Sequence, residues 1–282
     1  MIFFCLLLFF LGLHAQNIDT KQYTSSNKGK FFLSWGANRV SFTNSNITFQ
    51  GVDYNFTLKD VKSHDEPQGW HIDYINPLRM TIPQTNAKIG YFISDNYTIA
   101  LGVDHMKYVL TQNQTRNIDG NINLENLAPG ATFNGTYNND PITLTEDFLK
   151  FEHTDGLNYI YSEFSRIDDI SSLFNINNTD VFQVNISEGI GAGILYPKTD
   201  TTLLSKERYD IPYDEYNIAG YGVSVSAGLH LNFFKYFYVR GDLKGGFIDM
   251  NNIRTTENKI DSASQSFFYF QRVISLGGIF RI

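Results

Sequence analysis

The chain has 282 residues, 42% of them hydrophobic and 15% aromatic, with a formal charge of −7. That length holds two small domains or one large all-β domain, and the composition excludes a disordered chain and a helical bundle. The acidic balance leaves no basic footprint for nucleic acid.

In chain order, "MIFFCLLLFFLGLHAQ" comes first. Its apolar run, Ile2 to Leu13, has the length of a signal-peptide core and is too short to cross a bilayer as a helix. Residues 1–15 are expected to be a signal peptide cleaved after Ala15, although no Lys or Arg precedes the run. Residues 16–29 follow as a short periplasmic segment, and 30–282 as a single domain. The lone cysteine, Cys5, lies inside the leader, which removes disulfides and thiol chemistry from the mature chain. No later window offers about 18 consecutive apolar residues.

Beyond the leader the signal is alternation, the period of a strand. Phe31, Leu33, Trp35 and Ala37 share one face, against Ser34, Gly36 and Asn38. Over 46–61, Tyr54, Phe56 and Leu58 oppose Asp53, Asn55, Thr57 and Lys59, and the change of parity near Gly51 suggests a bulge. This stretch either extends the first span or forms an extracellular hairpin arm. Residues 66–82 could hold a short helix. Two alternating runs meet across Ser94-Asp95-Asn96, a hairpin signal. Residues 111–145, rich in Asn, Gly and Thr, read as a long loop, as do 197–213 and 251–264. After a second tight turn at 234–236, Arg240, Asp242 and Lys244 form a charged ladder at every second residue.

Long connections alternating with short turns, and a face of charged and small residues opposite an apolar one, point to an all-β, closed antiparallel transmembrane β-barrel with short periplasmic turns and long extracellular loops. Eight spans are expected, over 30–43, 84–94, 96–110, 146–165, 180–196, 214–233, 236–250 and 265–282, with ten as the competing count. In a narrow barrel Arg240, Asp242 and Lys244 point inward and pair with neighbours, and Gly and Ser make room for them. Tyr97, Phe233, Phe234, Tyr236 and Phe237 suit an interfacial girdle.

With these spans and the ending "FQRVISLGGIFRI", the chain resembles outer-membrane β-barrel proteins of Gram-negative bacteria, of the Bacteroides–Flavobacterium type. The resemblance implies residence in the cell outer membrane, contact with lipid and lipopolysaccharide, insertion by the barrel-assembly machinery and a possible envelope protein partner. It also implies that Phe280 and Ile282 supply the C-terminal insertion signal, which in such barrels is usually a last aromatic residue.

One candidate cluster stands out at the outer rim: Asp104 and His105 on one span, with Glu152, His153 and Asp155 on the next. Two imidazoles with carboxylates could hold a metal, and a nucleophile beside a His could hydrolyse a lipid. Lipid A deacylases of this membrane carry a His and a Ser two residues apart; His153-Thr154-Asp155 and His105-Met106-Lys107 do not. The expectation is therefore no catalytic residues, no metal and no cofactor. The role expected is structural or interaction-based, through the loops or as an accessory subunit of an envelope complex. A small solute pore and a lipid-modifying enzyme are the alternatives.

Overall fold

A computed structural model describes residues 26–66, 84–126, 128–204 and 215–281. The signal peptide expected at 1–15, nearly all of the helix expected at 66–82, and Ile282 lie outside these residues. The elements are β1 (Phe31–Phe42), β2 (Ser45–Gln50), β3 (Tyr54–Val61), β4 (Ser63–His64), β5 (Thr85–Phe92), β6 (Tyr97–Leu110), β7 (Gln114–Ile122), β8 (Gly135–Leu144) and β9 (Leu149–Asp169). They continue with β10 (Phe182–Leu195), β11 (Asp200–Leu203), β12 (Gly220–Phe233), β13 (Phe237–Arg254) and β14 (Ser262–Phe280).

Eight of these strands close a ring in the order β1-β5-β6-β9-β10-β12-β13-β14, and β14 pairs back onto β1 from Phe31–Phe280 to Phe42–Tyr269. Every neighbouring pair is antiparallel. The register starting at Leu33 runs through Ile89, Leu101, Ser162, Ala192, Val223, Phe247 and Phe268. It returns to β1 at Thr43, whose N–H donates to the Phe268 carbonyl at 2.9 Å. The ring therefore has eight strands and a shear of ten residues, which fixes a narrow interior.

Alternation decides which side chains enter that interior. On β14, Phe267, Tyr269, Gln271, Val273 and Ser275 are buried, while Phe268, Phe270, Ile274 and Leu276 point out, Ile274 with 70% of its surface exposed. Trp35, Leu101, Ile190, Val225 and Leu243 continue the same outward band around the ring. An apolar belt covering a closed barrel is stable only in hydrocarbon. Tyr97, Phe234, Tyr236 and Phe237 are exposed at its periplasmic edge, where aromatic girdles sit.

Above the belt the structure departs from the expected loops. Residues 111–145 are mostly β7 and β8, a hairpin, and part of 197–213 is β11, paired with β9. The stretch 46–61 is at once extension and hairpin. After a one-residue register shift, β2 carries β1 onward along β14, and β3 returns beside it. The parity change at Gly51 is the turn between them, closed by a Gly51 N–H to Tyr54 carbonyl bond of 2.9 Å, and no bulge forms there. The sheet continues β14-β2-β3-β7-β8 as an extracellular extension of the barrel wall.

This extension buries an apolar core of its own. Phe49 stacks on Phe56 at 5.4 Å and meets Phe151 edge-on at 5.5 Å, and Phe148 closes on Phe56 at 5.8 Å. Ile47, Leu58, Ile118, Leu144 and Met250 are fully buried around them. Replacing Phe56 with Ala is expected to cost about 3–5 kcal/mol of local stability. Protease cutting within 111–145 should then accelerate while the barrel keeps its heat-dependent gel mobility; unchanged cutting would show that this core does not hold the extension.

Candidate functional site

The lumen is the place where chemistry-bearing residues converge. Arg240, Asp242 and Lys244 of β13 alternate inward; the strands facing them supply Lys88 from β5, Asp104 from β6 and Glu163 from β9. These six groups form three ion pairs: Lys88 Nζ to Glu163 Oε1 at 2.6 Å, Arg240 Nε to Asp242 Oδ2 at 2.6 Å, and Lys244 Nζ to Asp104 Oδ2 at 2.5 Å. The cluster has no formal net charge, and opposite signs at contact distance compensate the loss of hydration. Neutral groups add further hydrogen bonds. Asp104 Oδ1 accepts from the Asn86 amide and from Tyr161 O–H at 3.2 Å, and the Lys244 ammonium lies 3.4 Å above the Tyr161 ring.

Small residues give these groups their space. A Cβ on Gly228 would stand 2.0 Å from Asp242 Oδ1, and one on Gly102 would meet the Tyr161 ring at 2.4 Å. About 20 Å³ stays free among Ser34, Lys88, Glu163, Ser226, Arg240 and Ser275, room for one water. Apolar layers close both ends. Phe32, Phe92, Tyr238 and Ile279 lie toward the periplasm, and Tyr159, Tyr161 and Tyr269 begin the large core toward the outside. The polar lining is thus one layer of a filled interior.

The structure does not bring the rim residues together, which corrects the expectation of one cluster. Asp104 points into the lumen and is paired there. His105 stands opposite Asn158, whose Oδ1 lies 2.8 Å from its Nδ1, whereas His153 stands opposite Tyr108, higher on the wall. A register shift between Met106 and Tyr108, with Gly156 at φ 140° on the facing strand, separates the two imidazoles. Glu152 pairs with Lys150 at 3.0 Å and Asp155 with Lys198 at 3.1 Å. Glu152 and Asp200 hold the Lys150 ammonium above its usual pKa against the opposing effect of burial.

His153 is buried between the Phe151 and Tyr108 rings at 5.0 and 5.6 Å, with Nδ1 3.0 Å from Thr199 Oγ1. Burial pushes its pKa down to about 3, so the fold holds it neutral. Phe280 faces outward beside Phe31, ring centroids 6.3 Å apart. Lys59, on the polar side of its strand, lies on the outer face of the extension and bonds Asp119 at 2.7 Å. Lys88, Glu163 and Asn86, which complete the lumen cluster, were missed in the sequence. Their signal was parity, since each lies opposite the apolar face of its strand.

A closed eight-stranded ring, an apolar belt outside and a charge-balanced interior define an outer-membrane-type β-barrel. No family model matches the chain, and no curated protein matches its sequence. Among solved structures it is similar to the attachment invasion locus protein Ail of Yersinia pestis, at 10% identity and a TM-score of 0.30, covering 90% of this chain and 99% of that one. It is also similar to Neisserial surface protein A, at 6% identity and 0.34, covering 90% and 99%. A third similar structure is the outer membrane protein OprG of Pseudomonas aeruginosa, at 8% and 0.35, covering 91% and 98%.

Two measurements test these assignments. Lys244→Met leaves the buried Asp104 carboxylate without its cation and should destabilise the barrel by about 3–5 kcal/mol. Adding Asp104→Asn should restore part of that; a double variant as unstable as the single one would show the pair is uncoupled. For His153 the unfolded chain binds a proton near pH 6.5 and the fold does not until about pH 3. Its contribution to stability is therefore whole above pH 6.5 and falls as the pH drops toward 3. The melting temperature should fall more steeply over that window in the wild type than in His153→Gln, and parallel curves would contradict it.

Proposed function

We propose that this is a non-conducting, non-enzymatic outer-membrane barrel that works by holding a rigid β-sheet outside the cell for an envelope or surface partner. The filled lumen carries this reading. A solute path would have to cross two apolar layers and a layer of three ion pairs whose own cavity, about 20 Å³, has room for one water. The histidines support it as well: His105 bonds to Asn158, while His153 with the Thr199 hydroxyl and His230 with the Ser187 hydroxyl are each buried together, out of a substrate's reach.

The outer face of the extension is polar and ordered. Thr48 and Thr57 hydroxyls meet at 2.8 Å, Thr115 and Thr143 at 3.0 Å, and the Lys59–Asp119 pair spans the strands between them. Such a face offers amide and hydroxyl groups for hydrogen bonding at a fixed spacing.

In planar bilayers the inserted protein is expected to leave the current flat. Discrete openings would replace this proposal with the pore. A photocrosslinker at Asn117, on the exposed face, should give a discrete adduct in intact cells, whereas one at the lipid-facing Ile190 should not. The lack of any discrete adduct at Asn117, Asn55 and Thr57 would remove the binding role.

A further inference from the structure

The belt carries two facing arginines that form no ion pair among the described residues. Arg39 of β1 and Arg272 of β14 face each other across the closing ladder, both in outward-facing positions. Like charges directly opposite on neighbouring strands repel. Among the described residues neither has a carboxylate within salt-bridge reach. Arg39 donates through Nη1 to the Asn38 carbonyl at 2.8 Å. Asp65, whose field reaches Arg39, is engaged elsewhere: its Oδ2 accepts the Val40 N–H at 3.0 Å and its Oδ1 the Gln84 amide at 2.5 Å. Another outward arginine, Arg166, lies low on the wall and is paired with Asp168 at 2.8 Å, with Glu188 opposite it.

Height identifies the missing counter-charge. Phe31, ringed by Tyr91 and Phe280, marks the periplasmic edge of the belt. Arg39 lies eight residues further up β1. At about 3.3 Å per residue and a tilt of 35–45°, that is about 20 Å higher, near the top of a band about 25 Å tall. Two guanidinium forks therefore reach the level of the outer-leaflet head groups, with apolar Ile274 and Leu276 below them on the same face. The wall beside Arg272 is shallow. Gly241 and Gly245 flank Leu243, its partner on β13, and a Cβ on Gly241 would touch nothing within 4 Å. A chain descending from a head group can lie in that depression.

We propose that Arg39 and Arg272 form a site on the barrel's outer face for the phosphoryl group of an outer-leaflet lipid. A phosphate between the two guanidiniums receives bidentate hydrogen bonds from both and removes their repulsion. A carboxylate-bearing or zwitterionic lipid supplies less charge to the same geometry.

The test is native mass spectrometry of the detergent-released full barrel, titrated with diphosphoryl lipid A, with its dephosphorylated form and with phosphatidylcholine. The diphosphoryl form should bind best, and Arg39→Gln/Arg272→Gln should weaken it by at least about tenfold, while Arg39→Lys/Arg272→Lys keeps most of the binding. If the double Gln variant does not fold, Arg272→Gln alone, at the more exposed position, is measured instead and should show the same direction. Equal binding of the dephosphorylated lipid, or no loss in the Gln variants, overturns the proposal. Millimolar inorganic phosphate should fail to displace the lipid; displacement would assign the site to free phosphate and overturn the lipid reading.

Discussion

The ladder between β1 and β14 is the constraint on which everything else rests. In hydrocarbon an unpaired N–H or C=O has no water to turn to, so a sheet is admissible only if its first and last strands meet. Here they meet over the whole of β1, twelve consecutive residue pairs. Closure fixes strand number and shear together, and these set the diameter. Every inward residue then has to fit one narrow cylinder, and every outward residue has to suit lipid.

A cylinder this narrow can be filled with apolar side chains or with polar ones that satisfy one another. The chain does both, in layers. In the middle layer Arg240, Asp242 and Lys244 are matched by Lys88, Asp104 and Glu163 from strands far away in sequence. Higher up, Phe49, Phe56, Phe148 and Phe151 pack as they would in a water-soluble domain. The change follows the surroundings of the wall. In the belt the outer face is apolar and the inner face carries the polar residues; outside the membrane the outer face meets water and the core moves inside.

That inversion explains what was legible in the sequence. Spans such as Phe31–Ala37 and Tyr97–Val103 announce themselves because one face must be continuously apolar to suit lipid. The inward direction of Arg240, Asp242 and Lys244 follows from the same alternation. β7 and β8 were unreadable because their outer face is Thr and Asn, and their inner face fully buries just Ile118, Ile122 and Leu144, with Tyr137 and Ile142 half-buried beside them. Three buried residues spread among polar ones do not make a visible period. Asp104 and His105 are neighbours in sequence yet point to opposite sides of the wall, and a register shift separates His105 from His153. No spacing in the sequence encodes that shift.

Continuity between barrel and extension gives the outer sheet its rigidity. β14 pairs with β1 through the belt and then with β2 above it, and β13 follows β14 up to Arg254 and Ser262. Gln265 ties β14 to β2 and β6 at this level, its amide donating to Ser45 Oγ at 2.8 Å and to the Tyr108 hydroxyl. The extension is therefore one ladder with the membrane wall, so its polar face keeps a fixed angle to the membrane. A hinged loop loses conformational entropy when a partner orders it, and a face already held by a ladder and an apolar core avoids most of that cost. The long strands and the buried phenylalanines above the membrane are otherwise unnecessary for an eight-stranded barrel that has already closed. Their presence is what supports the proposal that the protein acts through its outer sheet.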